Sequence, residues 1–207
     1  MEPSTTRLMD ARDLGRTLDR MARQIVELIT PDVPGEEDRG ERGAAKRPEA
    51  PLGESNGLAL IGVQTRGVHL ARRLSEKIRE AEGAKVPVGV LDATLYRDDV
   101  GSVGRGNPAG TIRAIRATRI PFDITGRALV LVDDVVYTGR TGRAALDALM
   151  DMGRPASVRF LVIIDRGLRE LPIRPDITGR TVSTFAGQQV QVRLREEDDR
   201  EGVWVES

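Results

Sequence analysis

Cysteine is absent from the 207-residue sequence, and histidine occurs once, as His69. The lack of cysteine excludes disulfides, thiolate metal sites and a cysteine nucleophile, and it fits a reducing compartment. A single histidine also argues against histidine-based metal sites and against catalysis by a Ser-His-Asp triad. We therefore interpret His69 as a surface or packing residue and not as a catalytic one.

An excess of charge of one sign is lacking as well. The chain carries 32 lysines and arginines against 32 aspartates and glutamates, so its formal net charge is zero. This balance argues against a globally basic nucleic-acid binder, although it leaves a local basic face open. No apolar run approaches the roughly 20 residues that span a bilayer, and residues 1–10 lack the apolar centre of a signal peptide. We expect a soluble, cytoplasmic, single-domain protein.

The apolar residues that are present follow two spacings along the chain. Steps of three and four between Leu14 and Leu28 predict a first helix that ends near Pro31. Short apolar runs then predict buried strands, and the helical patterns after the first and third runs extend to about Ala81 and Met152. Because buried runs alternate with amphipathic helices, we predict an α/β fold with a mainly parallel sheet. The predicted strands are residues 58–63, 86–94, 128–132 and 157–164, followed by an irregular stretch from 165 and an edge or hairpin strand at 190–194.

Two polar stretches interrupt this pattern. Residues 96–118 are polar and contain glycines at positions 101, 104, 106 and 110. Residues 31–57 consist mainly of proline, glycine, glutamate, arginine and alanine, with almost no large apolar side chains. The composition of residues 31–57 predicts a disordered insertion or a solvated surface loop.

The most informative segment runs from residue 128 to residue 142. An apolar strand there ends in Asp133 and Asp134, a Thr138-Gly139 turn follows, and a helix is expected to begin near Thr141. In open α/β sheets ligands bind beyond the carboxyl ends of the strands, and the free N–H groups at a helix N-terminus suit a phosphate. Adjacent carboxylates can accept hydrogen bonds from ribose hydroxyls. The segment predicts a ribose-phosphate site; the alternative is a capped turn whose acids supply only N-terminal charge.

The run from Val132 to Thr141 resembles the motif with which type I phosphoribosyltransferases bind phosphoribosyl pyrophosphate (PRPP). Three further motifs occur in the order seen in the PyrR family of pyrimidine operon attenuation proteins and uracil phosphoribosyltransferases. This resemblance implies a type I phosphoribosyltransferase fold, with a central, mainly parallel sheet flanked by helices, a small hood and a flexible lid loop. The resemblance covers about residues 8–30 and 58–194, and its further motifs lie at 64–67, 94–98 and 165–174.

The resemblance implies the reaction of uracil with PRPP to give UMP and pyrophosphate. Asp133 and Asp134 would hold the ribose hydroxyls and stabilise positive charge on the ribosyl ring, and Arg97 would close over the pyrophosphate with the glycine-containing lid. The loop at Thr65 often contains a non-proline cis peptide in this superfamily. Mg²⁺ is expected, held mainly by substrate oxygens and water, and no protein metal ligand is assigned. The implied substrate contacts are Thr65, Arg66, Gly67, Arg97, Asp133, Asp134, Val135, Val136, Tyr137, Thr138, Gly139, Arg140, Thr141, Arg166 and Val190, of which Asp133, Asp134 and Arg97 are the implied catalytic residues.

The resemblance also implies a regulatory role, in which the first helix binds pyrimidine-operon messenger RNA when UMP or UTP is bound. The matching residues here are Arg20 and Arg23. Asp19 would place a negative charge near the RNA backbone, unless it pairs with Arg23 one helical turn away. Leu168 stands where the family usually has a histidine. RNA binding is therefore less firmly predicted than PRPP binding.

Alternatives stay open at this point. The chain is predicted to be a uracil phosphoribosyltransferase and UMP- or UTP-responsive attenuator, but a catalytic or nucleotide-sensing protein without RNA binding fits the same motifs. A phosphoribosyltransferase for another base, such as hypoxanthine, is a third reading. Arg66 and Arg97 could instead be solvated surface arginines, and Arg166 could be a structural ion-pair partner. Trp204 is expected to be a packing or interface residue. The family implies a homodimer or homotetramer.

Overall fold

A computed structural model describes residues 5–29, 57–97 and 117–207. The predicted insertion at 31–57 lies outside these residues except for Gly57, and so do the predicted lid glycines at 101–110. No helix within the described ranges is long and apolar enough to cross a membrane. In chain order the described elements are β1 (Thr5–Met9), α1 (Ala11–Ile29), β2 (Leu58–Val63), α2 (Arg66–Glu82), β3 (Val88–Leu91), β4 (Ala128–Val136), α3 (Arg140–Met152), β5 (Ser157–Asp165), β6 (Ile177–Thr181), β7 (Gln189–Arg193) and β8 (Gly202–Glu206).

The central sheet of the described chain has the strand order β3-β2-β4-β5-β6, and every neighbouring pair is parallel. All residues of β2 are buried, as expected for a parallel strand that is covered on both faces. β3 is shorter than the predicted run at 86–94, because the chain turns into a short 3-10 helix at Thr94–Tyr96. The predicted α/β fold with a mainly parallel sheet is confirmed.

Successive residues of the central strands face two separate hydrophobic clusters. Val130 and Val132 of β4 pack in a cluster with α1 and α2, whereas Leu129 and Leu131 face a second cluster that contains α3. This alternation follows from the pleat of the strand, which points neighbouring side chains to opposite faces. The apolar stripe predicted for α1 is buried except at its last member, Leu28, which is 49% exposed.

A second, antiparallel sheet has the order β1-β8-β7 within the described residues. The edge or hairpin strand predicted at 190–194 is β7, and it lies at the edge of this sheet. β1 and β8 were not predicted. Trp204 of β8 is buried, in agreement with its interpretation as a packing residue. This sheet supplies the small hood that the resemblance implies.

Two predictions about the strands are wrong. β4 extends to Val136, because β5 runs beside it and pairs Val136 with Asp165. Asp133 and Asp134 therefore lie within the strand and not after its end. The stretch between Asp165 and Val190 was predicted to be irregular, yet it contains β6. The residues of β6 are mostly polar, and hydrogen bonding to β5, not an apolar run, makes this segment a strand.

Candidate active site

Two adjacent carboxylates lie near the C-terminal end of β4. Asp133 is 7% exposed and Asp134 is half-buried. The carboxylate of Asp133 accepts a hydrogen bond from the backbone N–H of Asp134 at 2.9 Å, and that of Asp134 accepts one from Val135 at 2.9 Å. Burial, together with the neighbouring charge of Asp134, raises the pKa of Asp133 well above its ordinary value, and burial also raises the pKa of Asp134. Each carboxylate keeps acceptor capacity for hydroxyl donors.

A short turn at residues 137–139, which we call the phosphate turn, joins β4 to α3 after the carboxylate pair. Its Gly139 is the N-cap residue of α3, with a φ of 92° in the left-handed region that favours glycine. A Cβ atom on Gly139 would also lie 3.1 Å from the Cβ of Ile173. Because the N-cap residue has no side chain, it does not occupy the N–H groups of the first helical turn. These N–H groups and the positive end of the helix can bind a phosphate.

The turn and Asp133 border one cavity of about 150 Å³, and Asp134 is not among its lining residues. Arg97 also lines this cavity, and its Nη1 donates to the hydroxyl oxygen of Thr141 at 3.0 Å. Its positive charge lowers the pKa of Asp133, against the larger effect of burial. The cavity is lined by Arg97, Asp133, Val135, Val136, Tyr137, Thr138, Gly139, Thr141, Gly142 and Phe160.

The loop predicted to bind pyrophosphate joins β2 to α2 beside β4. The peptide bond between Gln64 and Thr65 is cis, as the resemblance predicts for this loop. A Cβ atom on Gly67 would collide with the carbonyl oxygen of Val132, so glycine allows α2 to begin this close to β4. The loop is therefore packed against the strand that carries the two carboxylates.

Arg66, the first residue of α2, is held by a carboxylate. Its Nε and Nη2 donate to Oδ2 and Oδ1 of Asp198 at 3.1 Å and 2.7 Å. Its positive charge also lowers the pKa of Asp134 against the effect of burial, which indicates that the guanidinium lies within electrostatic range of the pair. The alternative of a solvated surface arginine does not fit Arg66, and the hydrogen bond to Thr141 argues against it for Arg97.

Arg166, predicted to lie near the base, is 7% exposed. Its guanidinium donates to the hydroxyl oxygen of Thr184 at 3.1 Å and to the carbonyl oxygens of Phe185 and Gln188 at 3.4 Å and 2.7 Å. The same guanidinium lies 4.1 Å from the centre of the Tyr137 ring. These contacts fit a structural role. The partners of Arg166 are a hydroxyl, two carbonyl oxygens and an aromatic ring, and none is the carboxylate of the ion pair considered above. Arg166 thus joins the loop before β7 to the phosphate turn.

Arg140 and Val190 are not among the residues that line the cavity. Arg140 donates to the carboxylate of Glu170 at 2.8 Å, and Val190 is partly buried against the core cluster under α1. The N–H groups of Glu170 and the residue after it both donate to the carbonyl oxygen of Thr138 at 3.0 Å. Leu168, where the family usually has a histidine, is exposed and has a φ of 57°. The segment after β5 therefore supports the phosphate turn from outside.

The residues predicted to contact RNA lie on α1, away from this cavity. Arg20 donates to the carbonyl oxygen of Gly179 at 2.6 Å, and the Nε of Arg23 donates to the carbonyl oxygen of Asp19 at 3.4 Å. The predicted ion pair between the side chains of Asp19 and Arg23 is wrong. The carboxylate of Asp19 pairs instead with Lys77 at 2.5 Å, because α2 packs beside α1 and brings this lysine closer.

Sequence reasoning missed several residues that shape the site. Phe160 and Gly142 line the cavity, and Asp198 binds Arg66. The acidic run at 196–201 was a visible signal, but the motif comparison ended at Leu194. Phe160 carries no such signal, because it reads as one more apolar residue of a buried strand.

Comparison with known proteins places these features in a family. The model of the family described as "Phosphoribosyl transferase domain" matches residues 8–197. The bifunctional protein PyrR of Thermus aquaticus is 48% identical over 199 residues, which cover 95% of this chain and 94% of that protein. The bifunctional protein PyrR of Microcystis aeruginosa is 40% identical over 203 residues, which cover 98% of each.

Solved structures resemble the fold. A hypoxanthine phosphoribosyltransferase of Staphylococcus aureus has a TM-score of 0.61 at 13% identity, covering 96% of this chain and 90% of that one. A hypoxanthine-guanine phosphoribosyltransferase of Bacillus anthracis has a TM-score of 0.60 at 14% identity, covering 99% of this chain and 98% of that one. At such low identity these structures show the shared fold alone.

Proposed function

Because the chain belongs to the phosphoribosyl transferase domain family and, within it, to the bifunctional PyrR proteins, we propose that it converts uracil and PRPP to UMP and pyrophosphate. The chain is a phosphoribosyltransferase with the type I fold, as its motifs predicted. One observation carries the proposal: Asp133, the phosphate turn and Arg97 border a single cavity. This cavity brings an acceptor for ribose hydroxyls and donors for phosphates together in one small space.

The proposed reaction uses each of these groups in turn. The ribose hydroxyls of PRPP donate to Asp133 and Asp134, whose charge stabilises the positive ribosyl centre as pyrophosphate leaves. The 5-phosphate accepts hydrogen bonds from the phosphate turn and the first turn of α3. Arg66 and Arg97 bind the leaving pyrophosphate. The ring nitrogen of uracil bonds to the anomeric carbon while the bond to pyrophosphate breaks, and the proton of that nitrogen passes to the departing pyrophosphate. The protein thus acts mainly by positioning.

We propose that Mg²⁺ accompanies PRPP. Among the described residues no three histidine, aspartate or glutamate side chains cluster as metal ligands. The two carboxylates of β4 are hard oxygen donors, which suit Mg²⁺ either directly or through water. They fit an ion held mainly by pyrophosphate oxygens. When bound, such an ion neutralises the charge of the departing pyrophosphate.

A panel of bases tests the proposed reaction. The purified chain is incubated with PRPP, Mg²⁺ and either uracil, cytosine, hypoxanthine or guanine, and released pyrophosphate is measured. We expect release with uracil and little with the purines. Release with hypoxanthine instead of uracil would support the phosphoribosyltransferase of another base, and no release with any base would support a nucleotide-sensing protein.

The double variant Asp133→Asn/Asp134→Asn tests the site. We expect its transfer rate to fall by about a thousandfold or more, because the charges that stabilise the ribosyl centre are lost. Asp147→Asn is the matched control, since Asp147 lies exposed on α3 and pairs with Arg143. Full activity of the double variant would show that the carboxylates have another role.

We further propose that the chain binds pyrimidine-operon messenger RNA through α1 in response to UMP or UTP. A groove of about 470 Å³ between α1 and β6 carries Arg16, Arg20 and Arg180, with Asp13 as its one acidic member. Arginines in this arrangement can contact successive phosphates of an RNA strand. Asp19 pairs with Lys77, so the negative charge of Asp19 beside this surface is neutralised.

A gel-shift titration with leader RNA, with and without UMP, tests this second role. We expect Arg20→Gln/Arg23→Gln to weaken binding and to reduce the salt dependence by about one unit for each lost phosphate contact. Arg79→Gln on the exposed side of α2 is the control for loss of a positive charge. If the wild-type chain gives no UMP-dependent shift at low salt, the protein is an enzyme without this regulatory role.

We also propose a homodimer or homotetramer, as the family resemblance implies. Three exposed apolar side chains support a shared surface: Leu95 in the 3-10 helix, and Met150 and Met152 at the end of α3. The Tyr96 hydroxyl donates to Asp151 at 2.8 Å, which holds these two segments together. Light scattering after size-exclusion chromatography measures the oligomeric state. Leu95→Glu should shift the equilibrium towards the monomer. A monomeric wild-type chain would contradict the proposal.

A further inference from the structure

A segment between β7 and β8, residues 194–201, lies against one face of α2. We call it the acidic strap, because four of its residues are acidic and contact the helix. The helix residues that it contacts are spaced three and four apart, so they share one face. The pairs are Arg66 with Asp198, His69 with Glu197, and Arg73 with both Glu196 and Glu201.

The contact of Asp198 with Arg66 has the same two-point geometry as the contact of Glu196 with Arg73. Both carboxylate oxygens of Asp198 accept, at 3.1 Å and 2.7 Å. The side chain of Asp198 is 14% exposed and that of Arg66 is 34% exposed. The backbone N–H of Leu194 also donates to Oδ2 of Asp198 at 2.9 Å. The carboxylate of Asp198 thus accepts a hydrogen bond from the backbone of the strap and two from the guanidinium of Arg66.

The charge on Asp198 is maintained at neutral pH. Burial acts to raise its pKa, but the hydrogen bonds from Arg66 and Leu194 outweigh burial, and the pKa is lowered. The hydrogen bond to Asp198 in turn raises the pKa of Arg66. A charged carboxylate in a two-point contact holds the plane of the guanidinium and limits its rotation.

Three N–H donors of Arg66 lie outside its contact with Asp198. A guanidinium has five N–H donors, and the contact with Asp198 uses one on Nε and one on Nη2. The others lie on the opposite edge of the group. Arg66 follows the loop that packs against β4, and its charge acts on Asp134. The edge that Asp198 does not occupy is therefore suited to phosphate oxygens beside the carboxylate pair.

We propose that Asp198 is a positioning residue for the pyrophosphate group of PRPP, acting through Arg66. It holds the guanidinium in the orientation that binds the leaving pyrophosphate before the substrate arrives. This inference rests on the proposed phosphoribosyl transfer. Asp198 is not needed to attach the strap to α2, because Arg73 of α2 already pairs with two other carboxylates of the strap.

Pyrophosphate binding and PRPP kinetics test the role of Asp198. Titration calorimetry with Mg²⁺ and pyrophosphate gives a Kd, and initial rates with uracil give KM and kcat for PRPP. For Asp198→Asn we expect Kd and KM to rise about tenfold while kcat changes by less than about twofold, because ground-state and transition-state binding are lost together. Asp198→Glu keeps the charge and should recover part of this loss. Glu196→Gln, in the same strap, should leave both constants unchanged.

A second pair of variants separates positioning from folding. Arg66→Gln/Asp198→Asn removes both charges at once, so it leaves no buried charge without its partner. If Asp198 acts through Arg66, this double variant binds pyrophosphate with the same Kd as Arg66→Gln alone. A weaker Kd in the double variant overturns the proposal.

Further outcomes also decide the question. An Asp198→Asn variant that binds pyrophosphate as tightly as the wild type, or more tightly, overturns the positioning role and leaves the transferase activity standing. Equal losses in Asp198→Asn and Glu196→Gln also overturn it, since they would reflect the strap as a whole. A wild-type chain that binds neither pyrophosphate nor PRPP overturns the proposed function together with this inference.

Discussion

Two groups of acidic residues in this chain have opposite surroundings. Asp133 and Asp134 lie side by side in β4, where burial raises the pKa of both. In the acidic strap, Asp198 and Glu196 face arginines of α2, and their pKa values are lowered. The side chains are of the same chemical type. Their neighbours alone decide the direction of the shift.

The two groups differ in whether their partners are already present in the folded chain. Folding disfavours the ionised form of the β4 pair, and under the proposed function this form becomes favourable when ribose hydroxyls donate to it. Folding favours the ionised form of the strap carboxylates, because arginine partners are already present. Sites that bind ligands often retain such unfavourable groups at the expense of stability.

Asp133→Asn should give the largest effect and should separate activity from stability. We expect transfer to fall by about a hundredfold or more, because one stabilising charge is lost. The free energy of unfolding at pH 7 should rise by about 0.5–2 kcal/mol. The folded pKa of Asp133 lies above its ordinary 3.8, so its ionisation favours the unfolded chain as pH rises past that value.

Urea denaturation at pH 7 and at pH 3 measures this difference. The stability gain of Asp133→Asn should be present at pH 7 and should shrink in acid, where the wild-type carboxyl is protonated in both states. The asparagine side chain can still accept the hydrogen bond from the N–H of residue 134. A variant that is less stable than the wild type at pH 7 would remove the contrast between the two acidic groups.

Arg166→Gln tests a buried charge whose partners are neutral. The variant removes the donor of the Gln188 carbonyl oxygen and the contact with the Tyr137 ring, whereas the Phe185 carbonyl oxygen keeps the N–H of Gln188 as a donor. We expect the free energy of unfolding to fall by about 3 kcal/mol. Arg159→Gln is the control, because Arg159 is exposed and its pair with Asp176 lies at the surface. A loss below about 1 kcal/mol would show that the Gln188 carbonyl finds another donor.

The strap variants should give the smallest effects, graded by burial. Asp198→Asn should lower the free energy of unfolding by about 1.5–3 kcal/mol, and Glu196→Gln by less than about 1 kcal/mol, because its pair with Arg73 is more exposed. Both carboxyls have folded pKa values below their ordinary 3.8 and 4.5. The stabilisation is therefore present above those values and is lost as pH falls through the folded pKa values.

Denaturation curves between pH 7 and pH 2.5 check this order. Each variant should approach the wild type in acid as pH falls through the folded pKa of the carboxyl that it replaces. The β4 pair and the strap should thus respond to acid in opposite directions. If both strap variants are as stable as the wild type at pH 7, the ion pairs contribute nothing to the fold.

The strand, turn and helix start that carry the proposed phosphate site were predictable because they are consecutive in sequence. A single run from Asp133 to Thr141 contains the carboxylates, the turn and the start of α3. Local rules for strands, glycine turns and helix N-termini apply to such a run directly. The resemblance added Arg97, which the structure brings to the same cavity.

Other parts of the site and fold were less accessible to the same reasoning. β6 was missed because its residues are polar and its pairing partner lies earlier in the chain. The contacts of Arg166 with residues 184–188 were not predicted, and its assignment to the base site stays a prediction. The pairing of Asp19 with Lys77 was also unexpected, since it joins two helices. Each case depends on contacts between segments distant in sequence.

The sequence by itself determined the alternation of buried strands and helices and the order of the phosphate turn, because these follow from the spacing of neighbouring residues. Only the tertiary structure decided which charges meet. Asp198 lies 132 positions from Arg66 along the chain, yet it accepts both hydrogen bonds of the two-point contact. The strength and direction of such interactions depend on burial and distance, which the order of residues does not contain.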